Sequence, residues 1–227
     1  LSIGSSARGT AVPPPKDIDL MVVLGEVTPE QRSPEVLLQD FESRLRTGYP
    51  TLSMRRQSRS IGLRFEDFAF DVVPALARAS GGYRIPDLVD PRRWIFTNPE
   101  GHAALAKEAD SRCGAMALPI VKMLKAWNGH NAAGLKSFHL EVMVLRALTA
   151  RPSSYHTGVQ TVFERLANDV KRACGDPGGS DNRLDSYLPE SRDAVARKLE
   201  DAARCMKEAI RLASQEMARG IFGPPFP

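Results

Sequence analysis

The apolar pattern changes period near residue 100, and that change restricts the chain to a mixed architecture with strands first and helices last. Residues 17–24 read as a buried strand. Residues 34–48 read as a helix, with Ser33 to cap it, Pro34 in its first turn, and Leu37, Phe41 and Leu45 four residues apart. Two alternating runs follow. Ile61, Leu63 and Phe65 alternate with Gly62, Arg64 and Glu66, then Phe68, Phe70 and Val72 with Ala69, Asp71 and Val73, and the break at Glu66-Asp67 predicts a hairpin. The Gly- and Pro-rich stretch 78–100 reads as a connecting segment. From residue 101 the spacing turns helical: Ile120/Val121, Leu124 and Trp127; Leu140, Val144 and Leu148; Val159, Val162/Phe163, Leu166 and Val170. A loop is expected over 174–182, then a long amphipathic helix carrying Val195, Leu199, Ala202, Met206, Ile210 and Ala213. The expected fold class is therefore α+β, with a strand-bearing lobe over 1–100, a helical lobe over 101–227 and a cleft between them.

Composition narrows the function classes. With 227 residues, 42% hydrophobic and 26% charged, the chain has the content of an ordinary globular protein. A net charge of +4, from 31 basic against 27 acidic residues, suits phosphorylated ligands but is too small an excess for a dedicated nucleic-acid binder. Cys113, Cys174 and Cys205 form neither a disulfide framework nor a zinc spacing, which fits a reducing cytoplasm. No apolar run approaches the roughly 20 residues that cross a bilayer, so no membrane role is expected.

Acids carry the functional signal. Gly4-Ser5-Ser6-Ala7-Arg8-Gly9-Thr10 is followed by Asp17-Ile18-Asp19 at the head of the first strand, where alternation sends Asp17 and Asp19 to one side. Asp71 lies on the face of its strand opposite the aromatics, and an acid there in so apolar a strand is a candidate third ligand. Three carboxylates beside a Gly-Ser turn suit two magnesium ions and a triphosphate, because magnesium takes few protein oxygens and fills the rest from phosphates and water. Asp17 also has a plainer reading, as the cap of a turn after Pro13-Pro14-Pro15. Gly4 and Ser5 could meet phosphates or simply turn the chain. Lys122 and Lys125 share a helix face off the apolar stripe and read as phosphate contacts or as solvated surface. Ser137 could cap a helix or bond a phosphate, Phe138 could stack on a base or pack in the core, and His139 reads as structural.

Taken together, these residues resemble the polymerase-β-like nucleotidyltransferase superfamily, and within it the bacterial cGAS/DncV-like nucleotidyltransferases and oligoadenylate synthases. The likeness rests on Gly4-Ser5 with Arg8-Gly9-Thr10, on Asp17-Ile18-Asp19, on Phe70-Asp71-Val72-Val73-Pro74, on 121–128 with its Lys-Trp helix, and on 136–141. Asp176-Pro177, Asn182, Tyr187-Leu188 and the helix from Arg192 extend it over nearly the whole chain. The resemblance implies a polymerase-β-like lobe with a mixed sheet, followed by a helical lobe as in oligoadenylate synthases. It implies an enzyme that joins nucleoside triphosphates into a cyclic di- or trinucleotide second messenger in anti-phage defence, releasing pyrophosphate. Carried over by motif, Asp17, Asp19 and Asp71 bind two Mg2+ ions, with Mn2+ as a substitute, and Gly4 and Ser5 contact the donor phosphates. Lys125 with Lys122 grips phosphate, Ser137 contacts the triphosphate and Phe138 stacks on the donor base, where the family frequently has tyrosine. The family's N-terminal helix is absent from this sequence, and the resemblance implies preceding residues in the full protein.

The expected partners are nucleoside triphosphates (ATP, with GTP, UTP or CTP open) and a regulatory protein, without a nucleic-acid requirement, and the expected state is a cytoplasmic monomer. Two alternatives stand beside this reading: a transferase acting on an RNA end, small molecule or protein, and a catalytically silent nucleotide-binding scaffold. Retention of all three acids disfavours the silent scaffold.

Overall fold

The structure, a computed structural model, describes residues 1–13, 17–25, 32–87, 93–180, 182–188 and 191–223. It divides into two compact units that interleave in sequence. The first comprises Leu1–Arg8, Pro15–His102 and Gly178–Asn182, and the second Gly9–Pro14, Ala103–Pro177 and Arg183–Pro227.

The first unit is a sheet backed by one long helix. Its elements are α1 (Gly4–Ala7), β1 (Ile18–Leu24), α2 (Pro34–Gly48), β2 (Ser53–Arg56), β3 (Ile61–Arg64), β4 (Ala69–Ala77), β5 (Tyr83–Asp87) and β6 (Arg93–Thr97). Strands β2 to β6 run antiparallel in sequence order, and β1 adds to β4 in parallel. Since β3 and β1 both pair with Phe70–Val72, they must flank β4 on opposite edges, which makes β4 the central strand. Ser33 caps α2 by accepting from Val36 N at 3.3 Å. Leu38 and Phe41 of α2 then bury against Ile61, Leu63 and Val72 on one face of the sheet, while Met21, Val73, Ala75, Ile85 and Ile95 form a second cluster. Asp19 and Asp71 have the strand parity of Met21 and Val73, so they stand on the face away from α2.

Residues 78–100 are not a plain connection, as the sequence suggests. They carry β5 and β6, paired antiparallel with Ile85 opposite Ile95. The glycines that suggested a loop make a tight turn instead, with Arg78 N donating to Gly82 O at 3.1 Å. Pro86, which argues against a strand, sits inside β5 opposite Trp94. The hairpin expected at Glu66-Asp67 is present, closed by Phe65 N donating to Phe68 O at 2.8 Å.

The second unit is helical: the greater part of α3 (Pro99–Arg112), then α4 (Ala117–His130), α5 (Ser137–Ala147), α6 (Tyr155–Asp169), α7 (Arg192–Arg211) and α8 (Gln215–Gly220). One core unites the stripes read from sequence except for Ala213, which lies exposed beyond the end of the last long helix, and in that core Trp127 stands edge-on to Phe163 at 5.1 Å between ring centres. Helix α6 opens on a capping box in which Ser154 and Thr157 satisfy each other's backbone N–H groups. Between α6 and α7 the described residues are irregular, and buried Asp185 holds them by accepting from Cys174 N at 2.8 Å and pairing with Arg183 and Arg192. These bonds hold the Asp185 carboxyl well below the usual carboxylate range, the Arg183 bond most of all.

Candidate active site

The first unit gathers Gly4, Ser5, Asp17, Asp19 and Asp71. Residues 1–3 lie antiparallel to β1, with Ile3 N donating to Asp19 O at 3.0 Å and Met21 N to Leu1 O at 2.8 Å. The chain then turns at Gly4, whose φ of 71° is a left-handed value that disfavours any side chain. A Cβ at Gly4 would stand 1.8 Å from Asp19 Oδ2, so the Asp19 carboxylate fills the space that a side chain would need. Ser5 follows on α1, half-buried. Asp19 and Asp71 are direct partners across the parallel β1–β4 pair, which puts both side chains on one face about 4.8 Å apart at the backbone. Asp17, one residue before β1 and exposed, adds its charge beside them.

The electrostatics are those of crowded like charges. Burial raises the Asp19 carboxyl above its ordinary value, Asp71 and Asp17 push it further, and Arg8 pulls the other way. Burial likewise raises Asp71, with Asp17 adding to the rise and a hydrogen bond from Gln57 opposing it. A divalent cation among these hard oxygens would reverse that repulsion, so the donor chemistry and charge fit a magnesium-type ion. The carboxylates are not drawn in around a point: among the described residues no three acidic, histidine or cysteine side chains form a ready-made cage.

Lys122, Lys125, Ser137 and Phe138 lie in the second unit. Lys122 is exposed on α4. Lys125 is largely enclosed, its ammonium donating to Thr10 O (3.0 Å), Thr10 Oγ1 (3.2 Å) and Glu141 Oε2 (2.8 Å), while the Thr10 hydroxyl also donates to Glu141 Oε2 at 2.7 Å. Ser137 is the first residue of α5 and exposed; the cap position belongs to Lys136, which makes no side-chain cap. Phe138 is half-buried against the helical core. His139 is buried, with Nδ1 3.0 Å from the Tyr187 hydroxyl, which also accepts from Lys136 N at 2.6 Å. Burial lowers His139 to about 4, so it is neutral near neutrality, as its structural reading requires.

Sequence reasoning overlooked Thr10, Glu141, Gln57 and Gly62 as parts of these arrangements. Glu141 carried a signal: an acid inside the apolar run Leu140–Leu145 must find a partner if that run is buried. Gln57 and Gly62 carried none, since their relation to Asp71 depends on strand register.

Comparisons with known proteins bear on the domain and the fold. Residues 1–109 match the Second Messenger Oligonucleotide or Dinucleotide Synthetase domain. The chain is 26% identical to a cyclic AMP-AMP-AMP synthase of an Acinetobacter species, over 99% of this chain and 71% of the relative. Among solved structures, CdnC of Escherichia coli MS115-1 in complex with HORMA-deltaN matches with a TM-score of 0.76 at 19% identity, covering 98% of this chain and 80% of that one. The Vibrio cholerae DncV cyclic AMP-GMP synthase, bound to a linear intermediate, matches with a TM-score of 0.74 at 14% identity, covering 98% and 67%. Residues 1–109 thus match the Second Messenger Oligonucleotide or Dinucleotide Synthetase domain, and over nearly its whole length the chain shares the fold of the CdnC and DncV structures.

Proposed function

We propose that the protein condenses nucleoside triphosphates, ATP among them, into a cyclic di- or trinucleotide second messenger for anti-phage signalling. In each step a ribose hydroxyl oxygen bonds to the α-phosphorus of a donor triphosphate, the bond from that phosphorus to the β-phosphate oxygen breaks, pyrophosphate leaves and the hydroxyl proton is lost. A final step of the same kind closes the ring. The observation that carries this reading is the direct pairing of Asp19 with Asp71, with Gly4 against the Asp19 carboxylate, inside the matched domain.

Asp17, Asp19 and Asp71 would hold two magnesium ions, which when bound offset the charge of the phosphates and of the attacking oxygen. Manganese would serve in their place. Gly4 and Ser5 are assigned to the donor phosphates, Ser137 to the triphosphate and Phe138 to stacking on the donor base, a contact that any base can make. Lys122 is assigned to phosphate as an exposed point charge. Lys125 can reach phosphate only by giving up its bonds to Thr10 and Glu141. No helix is long and apolar enough to cross a membrane among the described residues. A cytoplasmic monomer with a regulatory protein partner completes the proposal, a partner being supported by the CdnC complex.

The test is incubation of full-length protein with the four labelled nucleoside triphosphates and Mg2+ or Mn2+, followed by phosphatase treatment and mass determination. A phosphatase-resistant cyclic product that disappears with EDTA is expected. A linear tail on added RNA, or no product in any condition, would overturn the reading.

A further inference from the structure

Resting on the proposed role of Asp71 as a metal ligand, we infer that Gln57 and Gly62 form a positioning device that presents Asp71 through one carboxylate oxygen. Gln57 Nε2 donates to Asp71 Oδ1 at 2.7 Å. Gly62 is the direct partner of Asp71 on β3, and Arg55 of β2 is the direct partner of Gly62, so the three stand in one row on one face. A Cβ on Gly62 would lie 3.0 Å from Gln57 Nε2 and 3.3 Å from Asp71 Oδ1. The bare position is what lets the amide reach over β3 to the carboxylate. Gln57 roots its side chain through the turn after β2, where its own N–H donates to Ser60 O at 2.9 Å.

Neither residue is demanded by the fold. Gln57 is exposed, and of the three atoms nearest to a Cβ at position 62 the two tight ones belong to the Gln57 and Asp71 side chains, the backbone oxygen of Arg55 lying at an ordinary 3.5 Å. What the pair does is occupy Oδ1. An ionised carboxylate only accepts, so the amide must present its nitrogen, and Oδ2 is left to face a cation. Fixing a ligand by an outer hydrogen bond removes rotamers that the cation would otherwise have to select. Gln57 thus acts through Asp71 and touches no reacting atom.

The test uses Gln57→Met, of equal length without a donor, Gly62→Ala, and the double variant. Mn2+ binding to the nucleotide-free protein, read by electron paramagnetic resonance, is expected to weaken about tenfold in each single variant. Turnover should fall about tenfold with KM for the triphosphates unchanged, and the double variant should be no worse than either single one, because both break one device. A folded Gln57→Met protein with wild-type Mn2+ affinity overturns the inference, as does a wild type that binds no Mn2+. A wild type that binds Mn2+ about tenfold tighter than Gln57→Met yet makes no cyclic product refutes the proposed product and supports the device.

Discussion

Each unit sets charge into a largely apolar framework, and the two do so in opposite ways. In the first, Asp19 and Asp71 stand side by side with the charge of Asp17 acting on both, and each is raised above its ordinary value. In the second, Lys125 and Glu141 are enclosed together, 2.8 Å apart, with the Thr10 hydroxyl and carbonyl completing the set. The carboxylate group is left in tension that a cation would release. The lysine group is already neutralised and satisfied. A fold keeps the first arrangement at a cost to stability, which points to function, and keeps the second when breaking it would cost more.

The largest expected effect comes from removing the like charges. Asp17→Ala with Asp19→Ala should lower product formation at least about a thousandfold, because several kcal/mol of metal-dependent stabilisation disappears. The same variant should melt no lower than wild type, since the removed charges repel one another. Parallel activity and thermal-denaturation measurements would break the contrast if melting dropped sharply. Gly4→Ala attacks the same place sterically: its Cβ would overlap the Asp19 carboxylate at a φ of 71°, and loss of activity by about a hundredfold is expected.

Breaking the second group should do the reverse. Glu141→Gln or Lys125→Met leaves one buried charge behind, at a cost of about 3–5 kcal/mol in urea unfolding. The double variant Lys125→Met/Glu141→Leu, with no charge left to strand, should recover most of that loss. Should Lys125→Met instead leave stability unchanged and abolish product, Lys125 serves the nucleotide rather than the fold.

The two regions also differ in how legible they were. Asp19 and Asp71 could be read because strand alternation is local: Asp19 heads an apolar strand and Asp71 is out of phase with Phe68, Phe70 and Val72, whereas Asp17, which the spacing puts on the side of Asp19, lies one residue before β1. Their meeting could not be read, because the parallel register that faces Asp19 with Asp71 joins segments about fifty residues apart in sequence. The second group is more remote still, since Thr10 and Glu141 are 131 residues apart. No pattern within one helix says which cation a buried acid will meet. The strands in 78–100 were hidden for a third reason: they are short, and turn-forming glycines and Pro86 dominate the local composition.

Proton linkage gives a smaller and differently signed pair of effects. His139 has its value lowered from 6.5 to about 4 by burial, so its neutral form stabilises the fold above about pH 6.5, and that contribution is lost as pH falls toward about 4. Asp19, raised by burial and by Asp71, contributes oppositely: its share is present at low pH and lost as pH rises through its elevated value. Urea unfolding of wild type should therefore show stability falling on acidification by at most about 1.4 kcal/mol per pH unit from His139. His139→Asn should flatten that slope, and Asp19→Asn should steepen it by removing the opposing group. If His139→Asn leaves the slope unchanged, the imidazole is not held neutral by the core.

The smallest effect separates two lysines three residues apart on α4. Lys122 is exposed, whereas the Lys125 side chain is only 8% exposed. An exposed point charge interacts with phosphate through water, so Lys122→Ala should raise KM for the triphosphates about fivefold at low salt, with stability changed by less than about 0.5 kcal/mol. The KM difference from wild type should shrink toward nothing as salt approaches about 1 M, where screening acts over about 3 Å. Lys125→Met should be indifferent to salt, because a buried pair is screened far less. A salt-insensitive KM effect at Lys122 would mean that this lysine is desolvated against its ligand, and the division of labour between the two would have to be redrawn.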